Sequence, residues 1–302
     1  MVSYYRSDLK SHSFRVKLFK HVTTQASLLL LITLAVLSLF APLIEFVLGH
    51  DPTFVDLFNR YKEPSLTHPF GTDELGRDLF LRLLYGGRVS LLVGITAGLL
   101  ATIIGTSLGI IAGYFGGYLD SVLMRLTDSV ISLPLLPLLI VLAAVDLTKL
   151  GLPSSIAESE STSLYRIVLI VSLVGWTTVA RVVRASTLSL KNQTFVIAAE
   201  AQGASRFRIM FVHILPNLAA PIIVASTLAV GNIILLESVL SFLGFGLHPP
   251  IPSWGNLLTN AQSLIWEAPA QALYPGVLIF LTVMSLNFLG DGLQRALDPR
   301  SV

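Results

Sequence analysis

Six stretches of this chain are apolar for twenty residues or more, at about 26–48, 90–114, 121–145, 164–186, 218–245 and 271–290. At 1.5 Å per helical residue each is long enough to cross a hydrocarbon layer of about 30 Å. The expected fold is an all-α polytopic membrane protein with six transmembrane helices and a long outer connection after the first. Charge content agrees. Only 13% of residues are charged and mean hydropathy is +0.76, against roughly 25% charged in a soluble domain, so lipid rather than water must cover most of the surface.

The second stretch is the cleanest, with no charge from Ser90 to Tyr114. The fourth is the weakest. Its uncharged part runs only from Ile167 to Ala180, and Arg166 and Arg181 are expected to snorkel to opposite interfaces. Arg15, Lys17 and Lys20 precede the first stretch as they would a secretory signal. Its apolar run is too long for a signal core and no small-x-small cleavage site follows, so a retained helix is expected.

Lysine and arginine set the orientation. Arg6, Lys10, Arg15, Lys17 and Lys20 lie before the first span, and Arg181, Arg184, Lys191, Arg206 and Arg208 lie around the connection from the fourth to the fifth. The connection from the fifth to the sixth has none. Both termini and the 187–217 stretch are therefore expected on the cytoplasmic side. The connection at 49–89 carries five basic residues on the outer side, but six acidic ones accompany them and a long loop pulls weakly on topology.

The chain between the fourth and fifth spans is polar and patterned. Phe195, Ala198, Ala199 and Gln202 fall at i, i+3, i+4, i+7, one face of a helix. Gly203 can end it in a left-handed cap, Ser205 can cap a second helix, and Phe207, Met210, Phe211 and Ile214 repeat the spacing before Pro216, where the helix is expected to stop. Two short amphipathic helices joined by a small-residue elbow can present an apolar ridge to a groove in another protein. The same amphipathicity suits a helix lying on headgroups through Arg206 and Arg208. The break at Gly203 favours docking, because a lipid-lying helix gains nothing from it.

Several stretches resemble binding-protein-dependent ABC importer permeases. Ala198-Ala199, Gly203 four residues on and Leu215-Pro216 look like that family's "EAA" loop. His68-Pro-Phe-Gly-Thr-Asp-Glu-Leu-Gly-Arg-Asp78, Leu240-Ser-Phe-Leu-Gly-Phe-Gly246, Pro249-Pro-Ile-Pro-Ser-Trp-Gly255 and Asn287 to Arg300 resemble its dipeptide, oligopeptide and nickel branch, as the "C"-type subunit. The likeness covers the chain after about residue 20, in order. It implies a type I ABC importer permease fold, with a tail at 1–25, a first helix and periplasmic connection at 26–89, a permease core at 90–294 and a C-terminus at 295–302. Its coupling helices fall at about 193–215 and dock a cytoplasmic ATPase. The coupling residues it implies are Ala198, Ala199, Glu200, Gly203, Ala204, Ser205, Arg206, Phe207, Phe211, Leu215 and Pro216. One position departs: the family glutamate before the alanines is Ile197 here, with the acid at Glu200, so that glutamate's role does not carry over.

The implied role is half of the translocation pathway of an ATP-driven peptide importer in a bacterial inner membrane. Its partners would be a homologous second permease in a heterodimer, two cytoplasmic ABC ATPases that hold ATP and magnesium, and a periplasmic or lipid-anchored substrate-binding protein. Nucleic acid is not expected, nor any cofactor on this chain, which has no Gly-x-x-x-x-Gly-Lys-Ser/Thr loop and no cysteine. Nickel or another small solute on the same architecture is one alternative. An ion-coupled carrier is another, but it needs a midplane ion site and no midplane carboxylate pair is present. Gly105-Thr-Ser-Leu-Gly109 matches a hydrolase motif, but it lies inside an apolar helix, without a histidine in any span to act as base.

Gly94, Gly98, Gly105, Gly109 and Gly113 are expected to let a second backbone approach closely. Pathway or gate candidates are Glu237, Ser241 and Asn287. Glu237 lies near the outer end of its span, and either meets a substrate amino group or makes a structural hydrogen bond; its interfacial depth favours the second. Asp291 is expected at the cytoplasmic interface near Arg295. Pro134, Pro137, Pro221 and Pro275 can kink their helices. The outer segments 49–89 and 247–270, stiffened by Pro249, Pro250 and Pro252 and edged by Trp254 and Trp266, are expected to face a binding protein, with an ordered plug as the alternative.

Overall fold

The computed structural model describes residues 21–157, 159–247, 250–259, 266 and 268–297. The basic tail before His21, His248, Pro249 and the segment 298–302 lie outside the described residues. Among those described, five helices are long and apolar enough to span a membrane, and a sixth crossing is a bent pair.

The first span divides into α1 (Val22–Leu39) and α2 (Ala41–Leu48). Pro42 sits at the start of α2, where a missing N–H is harmless. The second span, α3, is Leu79–Phe115, begun by Asp78, whose side chain accepts from the Leu81 N–H at 2.8 Å. It starts eleven residues before the expected Ser90. Arg82 and Arg88 hide that extension from a hydropathy reading, yet Arg82 is buried and paired with Asp73 at 3.3 Å.

The third span is a correction. In place of one straight crossing there are α4 (Gly117–Ser132) and α5 (Leu135–Ala143), bent by 87°. Pro134 gives no N–H across the junction and disfavours helical geometry in Leu133. The fourth span is α6 (Glu160–Lys191). Its Arg181 does not simply snorkel, because it is paired with Asp128 of α4, and Arg184 grips Asp120 of α4 with two hydrogen bonds. After α7 (Thr194–Ala201) comes α8 (Arg206–Phe242), and last α9 (Pro269–Leu297).

The α3–α6 pair is the most extensive helix contact, and one glycine stripe explains it. Spacings of four and seven keep Gly94, Gly98, Gly105, Gly109 and Gly113 on a slowly rotating face. Its first part meets α8: a Cβ on Gly94 would come 2.4 Å from Ile234 Cγ1, and one on Gly98 2.4 Å from Val230 Cγ2. Its later part meets the backbone of α6. A Cβ on Gly105 would come 2.6 Å from the Trp176 carbonyl oxygen, on Gly109 2.7 Å from that of Ala180, and on Gly113 2.9 Å from that of Arg184. Carbonyls inside a helix cannot swing aside as side-chain tips do. Gly109→Leu should therefore destabilise the bundle by about 1–3 kcal/mol or more, seen as a lowered unfolding temperature in detergent. Gly276→Ala, where nothing lies within 4 Å of the added carbon, should leave that temperature unchanged or raise it.

Candidate functional site

Two places carry unusual chemistry, at opposite ends of the bundle. At one end α6 finishes at Asn192 and the chain turns into α7. Gly203 ends α7 at φ +80°, with its N–H donating to the Glu200 carbonyl at 2.9 Å and the Ala204 N–H donating to that of Ala199 at 3.1 Å. This pair of bonds is the Schellman closure. Ser205 then opens α8, its side chain accepting from the Arg208 N–H at 3.4 Å.

The structure corrects two expectations here. Pro216 does not stop the second helix. The chain passes through a π-helical turn at Ile209–Ile214 and a 3-10 turn at Leu215–Leu218 and continues to Phe242. These turns shift the hydrogen-bond register around the missing proline N–H, and the Asn217 amide donates to the His213 carbonyl at 2.7 Å. The expected apolar faces also divide. Val196, Ile209, Met210 and Ile214 are buried against Ile110, Tyr114, Val179 and Val183 and Ala199 is buried as well, whereas Ala198, Glu200, Phe207, Phe211 and Pro216 are exposed. Phe207 is 72% exposed and Phe211 60%. Ala204 and Leu215 are half-buried, packed on the inner cluster. Exposed Phe195 and Ile197 extend the outward apolar surface.

Two cations fasten this elbow to the end of α3. Lys191 Nζ donates to the Tyr114 carbonyl at 2.6 Å, at the negative end of that helix dipole. The Arg206 guanidinium lies 5.9 Å from the centre of the Phe115 ring, within cation–π range.

At the other end Glu237 is fully buried. Ser90 Oγ donates to its Oε2 at 3.2 Å and Ser241 Oγ to its Oε1 at 2.7 Å. Each serine passes the polarity on: Ser90 Oγ accepts from the Trp254 N–H at 3.1 Å, and Ser241 Oγ from the Leu247 N–H at 3.2 Å. The Trp254 indole N–H donates to the Leu83 carbonyl at 3.0 Å, and its ring fills the space left by Gly87, where a Cβ would come 2.8 Å from Cζ2. The carboxylate thus anchors the loop after α8 between α3 and α8. The neighbouring connection is similarly self-paired. Arg77 and Arg82 both meet Asp73, and His68 Nδ1 lies 2.8 Å from Asp78.

The three pathway candidates do not form one group. Glu237 and Ser241 are bonded to each other and closed off. Asn287 is exposed on α9, five residues before Gly292, which packs on Thr24 at the start of α1, so it lies toward the elbow end. Sequence reading missed Asn232, an exposed amide near the middle of the regular Ala219–Phe242 part of α8. Its signal was present: it is the only amide or charged residue between Asn217 and Glu237. Among the described residues no three His, Asp or Glu side chains are grouped to hold a metal.

Comparison with known proteins follows the same outline. Residues 105–302 match the family described as "Binding-protein-dependent transport system inner membrane component". The chain is 38% identical to the dipeptide transport system permease protein DppC of Alkalihalophilus pseudofirmus, over 94% of this chain and 88% of that one. It is 36% identical to the oligopeptide transport system permease protein OppC of Bacillus subtilis, over 90% and 84%. With the glutathione transport system permease protein GsiD of Shigella flexneri it is 39% identical, over 96% and 90%. Among solved structures, a chain of the MetNI methionine ABC transporter in an inward-facing conformation shares the fold, with a TM-score of 0.58 and 17% identity over 72% of this chain and 96% of that one. With its helical spans, its elbow and this likeness over nine-tenths of its length, the chain belongs to the family of inner-membrane components of binding-protein-dependent ABC transport systems.

Proposed function

We propose that this chain is one permease subunit of an ATP-driven importer of short peptides. It forms half of the translocation path with a homologous second permease. The residue 194–215 elbow docks a cytoplasmic ATPase, one of two that bind ATP and magnesium, so this chain is itself no enzyme. The loop end, built from residues 50–78, 243–247 and 250–259, receives a substrate-loaded binding protein on the outer side of a bacterial inner membrane, with both termini inside. The observation that carries the reading is the likeness across nearly the whole chain to relatives named for dipeptide, oligopeptide and glutathione transport. The outward aromatic pair Phe207 and Phe211 on a rigid elbow supports the docking part.

The test is uptake of labelled peptide by vesicles holding the four membrane-associated subunits and the binding protein. Import should fall to background when both ATPases carry a substitution that blocks hydrolysis. Uptake that continued on an ion gradient would make the chain a secondary carrier, and uptake of nickel without peptide would move it to the other branch.

A further inference from the structure

We propose that the cavity at the α4–α5 bend is a subsite for the backbone of the transported peptide, with the Asn232 side-chain amide as its polar anchor. This rests on the peptide-importer reading above. The cavity measures about 310 Å³, at the lower end of the roughly 300–1,000 Å³ range of small-molecule sites. Val130, Ile131 and Leu133 of the bend form one wall, with Gly175 and Thr178 of α6 and Asn232 of α8 opposite.

Two independent features meet in it. The first is Asn232. It is exposed, and its amide makes no hydrogen bond with the described residues. It stands near the middle of a 24-residue regular stretch, Ala219–Phe242. An amide without a partner among the described residues at that depth is strongly disfavoured against lipid, so it faces water or a polar occupant. The second is the bend. A helix leaves its last carbonyls without partners. The Ser132 hydroxyl satisfies that of Ser129 at 2.8 Å. The carbonyl of Val130 would need a donor from residue 134, and that residue is Pro134, which has none. Non-helical backbone at membrane depth is tolerated where it is buried in protein or lines a water-filled cavity.

The chemistry of the occupant follows. The bend offers acceptors and the negative end of the α4 dipole, which suit a peptide's N–H groups and its ammonium terminus. Asn232 offers a donor and an acceptor together, the complement of a peptide unit. Leu228, Ile233 and Leu235 make the remaining lining apolar, so the site would read backbone and tolerate varied side chains.

The chain has no cysteine, so Asn232→Cys introduces a single thiol. In the full transporter this thiol should react with a membrane-impermeant maleimide during ATP turnover. A saturating dipeptide presented on the binding protein should slow that reaction several-fold. Asn232→Leu should lower dipeptide uptake about tenfold, the loss expected for one hydrogen bond, and Asn232→Gln should recover part of it. Reaction only with a bilayer-soluble maleimide would mean that lipid fills the cavity. No reaction with either reagent would mean that a helix of the second permease fills it. Aqueous labelling without protection, in a transporter that imports the dipeptide, would mean an empty water pocket. Each of these outcomes overturns the subsite and leaves the importer reading standing. Failure of the unsubstituted transporter to take up dipeptide, tetrapeptide and glutathione overturns that reading instead.

Discussion

Replacing Phe207 and Phe211 together by aspartate should reduce ATP-driven uptake about a hundredfold or more, with the helix bundle still folded. The two rings are 72% and 60% exposed, so nothing in this chain's core depends on them. Burying a phenylalanine in a partner's groove contributes about 1.5–3 kcal/mol. Losing two such contacts removes about 3–6 kcal/mol, and each 1.4 kcal/mol is a factor of ten in affinity. The readout is the amount of ATPase retained on the purified permease pair, alongside uptake. Gly203→Val tests the same surface through geometry. No atom lies within 4 Å of a Cβ at that position, so a side chain fits. The backbone at φ +80° disfavours it by about 1–2 kcal/mol, more for a branched residue. The elbow should reopen part of the time, and hydrolysis should continue with import reduced. Unimpaired, substrate-stimulated uptake in the double aspartate variant would remove the elbow from the mechanism.

The elbow also shows how far sequence carries and where it stops. Gly203 and Ser205 were legible because cap chemistry is local: one residue's φ and one side-chain oxygen settle it. The sharing of faces was not. Phe207 and Met210 have the same spacing relation to Phe211 and Ile214, and only the position of α3 and α6 decides that Met210 and Ile214 turn inward. Pro216 read as a stop because proline removes a donor. It does not stop α8, since a π-helical turn, a 3-10 turn and the Asn217 side chain take up the register. The bend at Pro134 was legible as a possible kink but not as an 87° turn, because proline strains a helix without saying whether neighbours hold it straight. The start of α3 at Leu79 was hidden for the opposite reason. Arg82 looks like a solvated charge until Asp73 is folded back onto it.

Glu237→Ala should destabilise the loop end by about 3–5 kcal/mol, through the hydrogen bonds lost from Ser90 and Ser241 and the cavity left behind. Glu237→Gln keeps the shape and one acceptor and should cost about 1–2 kcal/mol. Because the carboxylate is closed off between Ser90 and Ser241, Glu237→Gln should import peptide with an unchanged profile from pH 5 to 8. A changed profile would put the carboxylate in the path. The sharper test is to remove Glu237 together with these two serine donors, as Glu237→Leu with Ser90→Ala and Ser241→Ala. Where two buried polar groups serve only each other, apolar replacement of both is nearly neutral, because nothing is left unpaired. Here the serines also accept from the Trp254 and Leu247 backbone N–H groups, which no substitution removes. The triple variant should therefore stay destabilised, and proteolysis should find the 250–259 segment released from α3. Recovery to the stability of the unsubstituted protein would mean that the serine hydroxyls answer to Glu237 alone, and that Trp254 is held by its ring and its indole N–H without them.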